Sequence, residues 1–105
     1  MIAFLWLLSR FYWPTTVSVL ASGTFKHTHV EVTAVVIRTR MEDDSDRHVW
    51  LRDLVTRDSV LGECIPKLPC ALPKAGTKVK VRGISRRDPE HGWMEIHPIE
   101  EILAP

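Results

Sequence analysis

Beyond Phe25 the hydrophobic residues recur at every second position in several short stretches, and no stretch sustains a helical period. Alternation of this kind sends one set of side chains to one face of a β-strand and the intervening set to the other. Val30, Val32, Ala34 and Val36 alternate with His29, Glu31, Thr33 and Val35. Near Val35, Val36 and Ile37 the phase changes, which places Ile37 inside and Arg38 and Arg40 outside. A phase change within one long strand predicts a bulge or a sharp bend. Met41 to Asp46 is an acidic turn. A second strand over 47–53 puts Val49 and Leu51 on one face and His48, Trp50 and Arg52 on the other. A third spans 59–65 and is stopped by Pro66 and Pro69, with Pro73 and Gly76 marking the loop that follows. A fourth, over 77–85, alternates Val79 and Val81 with Lys78, Lys80 and Arg82. After a turn from Arg86 to Gly92, Met94 and Ile96 face one way and Trp93, Glu95 and His97 the other. Pro98 is expected to close this fifth strand, leaving 99–103 as a short apolar cap.

Five strands in so short a segment, the first of them long and bent, predict an all-β fold closed into a small barrel, because closure removes exposed sheet edges. The expected interior is Val30, Val32, Ala34, Ile37, Val49, Leu51, Cys64, Val79, Val81, Met94 and Ile96. Trp50, Lys80 and Glu95 are expected to point outward.

Before Phe25 the pattern is different. Ile2 to Leu8 is an uninterrupted apolar run, Ser9 and Arg10 break it, and Phe11, Tyr12, Trp13 and Pro14 follow. Residues 1–24 therefore read as a hydrophobic leader and 25–105 as the barrel. An apolar core ending in small residues fits an export signal, although no positive charge precedes it. A membrane-spanning helix needs about 20 apolar residues, and here Arg10 and Pro14 fall mid-span. A segment packed on the domain is the third reading. Localisation follows the leader: cytoplasmic if it belongs to the fold, exported or membrane-associated if it is a signal.

The chain has 105 residues, one domain's length, with 14 Lys+Arg against 13 Asp+Glu. Arg10 is the only charged residue before Lys26, so the barrel itself is formally neutral. It lacks the electrostatic footprint of a strong nonspecific nucleic-acid binder. Cys64 and Cys70 form neither a disulfide framework nor a zinc finger. They close a short loop in an oxidising compartment, or serve as small packed residues in a reducing one. No Ser–His–Asp pattern, phosphate-cradling glycine loop or paired-cysteine redox motif occurs, so the reading is non-enzymatic, with no cofactor.

The bent first strand, "HVWLRD" and "PKAGTKVKVRGISR" resemble the OB-fold, a five-stranded Greek-key barrel, over roughly residues 25–103. "ECIPKLPC" and the ending carried by Glu90, His91, Gly92, Trp93, Glu95, His97 and Pro98 resemble a group of small, uncharacterised bacterial OB-fold-like proteins with an EHGWxEIHP ending. That second resemblance implies a fold and no activity. OB-folds bind ligands on the face of their second and third strands, which here offers His48, Trp50 and Arg52. Trp50 can stack on a base and an arginine can meet phosphate. Arg38 and Arg40 adjoin them, and Ile65 to Arg87 holds Lys80, Arg82, Arg86 and Arg87 among its basic residues and no acidic one. Single-stranded nucleic acid is the expected ligand of this surface. The same lysines also suit a solvated edge strand.

His27 with His29, Asp46 with His48, and Glu95 with His97 each place two metal-ligating groups on one strand face. The pairs lie on different strands and nothing in the sequence joins them, so no metal is expected. His91, Gly92, Trp93, Glu95 and His97 are read as structural, with Gly92 allowing a tight turn. The alternative to nucleic-acid binding is an exported or membrane-tethered domain whose outer face meets a protein partner, with membrane contact through residues 1–24.

Overall fold

A computed structural model describes residues 11–68 and 70–105. The apolar run Ile2 to Leu8 and Pro69 lie outside the described residues. The elements are β1 (Trp13–Thr15), α1 (Val17–Ala21), β2 (His29–Met41), β3 (Arg47–Arg52), β4 (Ser59–Cys64), β5 (Lys78–Arg87) and β6 (Met94–Leu103). Strands follow the order β1-β2-β3-β4-β6-β5, and β5 pairs back onto β2. The five strands β2 to β6 thus close into an all-β barrel of OB-fold-like order, with β1 as an additional strand.

The length of β2 makes closure possible. Its first half, His29 to Val35, pairs with β5, and its second half, Val35 to Met41, pairs with β3. The register slips between Val36 and Arg38, so Ile37 is the extra residue of a bulge. Ile37 is 45% exposed, against its expected place inside, and Val36 is fully buried in its stead. The backbone explains the difference. Val36 donates its amide to Thr77 and accepts from Gly76, which keeps it in phase with Val30, Val32 and Ala34. The outward alternation of Arg38 and Arg40 resumes only after the inserted residue.

The other interior residues expected from alternation are all buried, joined by Val17, Leu20, Val36, Val60 and Ile99. Each fully buried aliphatic side chain contributes about 1.5–3 kcal/mol relative to exposure. Val17 and Leu20 reach this core from α1, which packs against β2, β4 and β6. The helix starts at Thr16, whose hydroxyl accepts the Val19 amide at 3.1 Å. Asp53, 7% exposed, accepts the Ser18 amide through one oxygen and the Val55 and Thr56 amides through the other. One carboxylate therefore ties α1 to the loop after β3. Among the described residues no helix is long and apolar enough to cross a membrane.

Two further expectations are corrected. Pro98 does not end the last strand, because β6 continues to Leu103 and pairs with β5 as far as Lys80. Pro98 stands at a register slip, opposite no ladder partner, where its missing N–H costs nothing. Glu95 is not exposed: it is 1% accessible, lying in register between Leu61 of β4 and Arg86 of β5. Alternation assigned its face correctly, but that face is covered. Cys64 and Cys70 form a disulfide with Cα atoms 6.0 Å apart. The Cys70 carbonyl also accepts a hydrogen bond from the Arg47 guanidinium.

Candidate functional site

Register aligns the outer faces of β2 and β3. Arg38 lies opposite Trp50, and Arg40 opposite His48. The Arg38 guanidinium sits 4.1 Å from the centroid of the Trp50 ring, and His48 meets the same indole edge-on. β4 continues the face with Leu61 opposite Trp50 and Glu63 opposite His48. The turn from Arg87 to Trp93 rises beside it. Gly92 takes a φ of +78° there, which lets the chain reverse into β6. Asp88 organises this turn by accepting the amides of Glu90 and His91 and contacting His91 Nδ1 at 2.8 Å. That side-chain hydrogen bond holds His91 above its ordinary value of 6.5 and Asp88 below 3.8. The His91 ring lies flat on Trp93, with centroids 4.2 Å apart and planes 3° apart.

Between these walls runs a groove of about 830 Å³, lined by Arg38, His48, Trp50, Leu61, Arg86, His91, Trp93 and Glu95 among others. A smaller cleft of about 200 Å³ shares Trp50, Leu61 and Trp93 with it. Trp50 and Trp93 form its aromatic walls, with Ser59, Val60, Leu61 and Met94 around them. The two indoles come from β3 and from the threshold of β6. They are brought together by the short parallel pairing of β4 with β6.

The groove is more acidic than basic. Glu42, Asp43, Asp44, Asp46, Glu63, Asp88, Glu90 and Glu95 all line it, against Arg38 and Arg86. Arg86 is committed to the buried Glu95 at 2.7 Å. His48 lies between Glu42, 3.0 Å from Nδ1, and Glu63, 2.5 Å from Nε2. His97 Nε2 meets the other Glu63 oxygen at 2.8 Å. Burial, with Asp44 and Glu63 nearby, pushes the Asp46 carboxyl above its ordinary value, an effect that His97 and His48 oppose.

The structure divides the basic residues singled out in the sequence. Arg38 and Arg86 enter the groove together with His48 and Trp50. Arg40 pairs with Glu42 at 3.4 Å beside it. Arg52 is exposed outside the lining, and Arg87 donates to the Gly92 carbonyl. Lys80 and Arg82 occupy another face, where both pair with Glu31 and Arg82 also pairs with Glu101. The hydrogen bond that Arg82 donates to Glu31 raises its pKa further. Sequence reasoning singled out neither Glu63 nor Glu42. The alternation of Leu61 and Glu63 with Val60 and Gly62 carried that signal, but the register that sets Glu63 against His48 was needed to read it.

No protein-family model matches the chain, and no curated protein matches it. Among solved structures, it is similar to part of a protein from Leishmania major Friedlin assigned as an aspartyl-tRNA synthetase. The TM-score is 0.68 at 21% identity, over 90% of this chain and 20% of that one. The likeness is one of fold. The chain spans about a fifth of the length of that protein.

Proposed function

We propose that this domain is a non-enzymatic OB-fold binding module for single-stranded nucleic acid, and that it takes bases into the cleft between Trp50 and Trp93. The observation that carries the reading is that Trp50 and Trp93 line one small cleft of about 200 Å³, with the Arg38 guanidinium 4.1 Å from the Trp50 ring centroid. Unstacked bases bind to such surfaces whatever their sequence, because every base has a π face. The carboxylates in the adjoining groove suit base edges, whose amino and imino groups donate hydrogen bonds. They repel phosphate, so the backbone stays at the rim near Arg38, Arg40 and Arg52. The synthetase-like fold agrees with this reading, since the name of that neighbour places it among proteins that act on tRNA.

A second reading is favoured by a different observation. The excess of carboxylates in the groove, together with the Cys64–Cys70 disulfide, suits a lysine- or arginine-rich segment of a protein partner met in an oxidising compartment. Titration of mixed-sequence single strands and of a basic peptide, each at low and moderate salt, separates the two. The proposal expects the oligonucleotide to bind at micromolar level. Its log–log salt slope should be only about −0.7 to −1.4, the release from one or two phosphate contacts. Binding of the peptide alone, with no oligonucleotide signal at low salt, would put the second reading in its place.

A further inference from the structure

We propose that Asp46, Glu63 and His97 form a binding site for a divalent transition-metal ion of the zinc class where β3, β4 and β6 meet. One ligand atom from each residue lies within 4.8 Å of the others. Around zinc, bonds of about 2.0–2.2 Å hold tetrahedral ligand atoms ~3.3 Å apart. Side-chain torsions can close that difference without moving a strand. Two oxygens and an imidazole nitrogen suit zinc and its neighbours, whereas magnesium and calcium take oxygen donors.

Strand register builds the cluster. Gly62 pairs with Ile96 in parallel, so the next residues on each strand, Glu63 and His97, come together. Asp46 immediately precedes β3, and its amide is fixed by the Asp44 carboxylate at 3.0 Å. Glu63 is itself oriented. Its Oε1 is held by His48 Nε2, and His48 Nδ1 faces Glu42 at 3.0 Å. That leaves Glu63 Oε2, 2.8 Å from His97 Nε2, as the atom offered to the ion. Carboxylate–imidazole pairs behind a ligand are how metal sites fix ligand direction. His48 is therefore a positioning residue. Asp46 and Glu63 also line the groove, so the fourth coordination position opens toward it. Without an ion, the Asp46 and Glu63 carboxylates share one partly buried corner beside the His97 and His48 imidazoles, and a dication relieves the repulsion between the two carboxylates. The site shares the groove with Trp50 and Trp93, but none of its three ligands lines the aromatic cleft itself.

The test is a cobalt(II) titration of the untagged, chelator-stripped full chain, followed by visible absorption. The expected result is a one-to-one end point with the d–d bands of four- or five-coordinate cobalt, displaced by equimolar zinc. Asp46→Asn, Glu63→Gln and His97→Ala should each weaken binding by at least ~10-fold. Glu101→Gln, on the face that carries Lys80 and Arg82, should leave it unchanged. Circular dichroism confirms the fold of each variant. Should His97→Ala fail to fold, the near-isosteric Asp46→Asn and Glu63→Gln decide. Absence of the cobalt bands, or binding unchanged in both of those variants, would overturn the proposal.

Discussion

Asp53 shows how much one side chain can organise. It is a buried carboxylate with three backbone amides pointed at it, and those hydrogen bonds, from Thr56 and then Ser18, hold its pKa below the ordinary 3.8. A carboxylate whose folded pKa is depressed adds stability above its unfolded value. That stability is lost as pH falls through the folded value. Asp53→Asn keeps the shape and removes the charge, so it should cost about 2 kcal/mol near neutrality, the scale of hydrogen bonds to a charged group. Urea unfolding of both proteins across pH checks this: the gap should be full above pH 3.8 and should shrink below it. A gap that does not change with pH would show that shape, and not charge, ties α1 to the loop after β3.

At the level of elements, the barrel depends on close approach of β5 to β6. A Cβ on Gly83 would lie 2.5 Å from both Ile96 Cγ2 and the Pro98 carbonyl oxygen. Backbone cannot yield as a side-chain tip can, so Gly83→Ala should cost about 1–3 kcal/mol, the overpacking scale, measured by thermal or urea unfolding. The barrel itself was legible in the sequence, because period-two alternation identifies strands that bury one face. Val30, Val32, Ala34, Val49, Leu51, Val79 and Val81 show it. Ile37 was misplaced because alternation reveals that a bulge exists but not which residue is the extra one. The Val36 hydrogen bonds to residues 76 and 77 decide that, and they are long-range. Glu95 was misplaced because alternation gives a face and not its cover. Within the site, Arg38, His48 and Trp50 were legible, since they share a face on adjacent strands. The approach of Trp93 and the corner formed by Glu63 and His97 were not, because both arise from the parallel β4–β6 seam.

Across the whole molecule, a formal charge of +1 conceals a strong local arrangement. Lys80, Arg82 and Arg86 are spent on Glu31, Glu101 and Glu95, and the groove is left acidic. Affinity for a single strand must then come from stacking more than from phosphate contacts, and this is the central claim of the proposed function. The most direct measurement is the affinity of a short mixed-sequence single strand for the native chain, for Trp50→Ala and for Trp93→Ala at moderate salt, by fluorescence anisotropy of a labelled strand. Each substitution should cost about 1–3 kcal/mol, the loss of one stacking wall, while Lys80→Ala on the other face should change little. Equal affinity for the native chain and both tryptophan variants, or greater loss in Lys80→Ala than in either of them, would contradict the account.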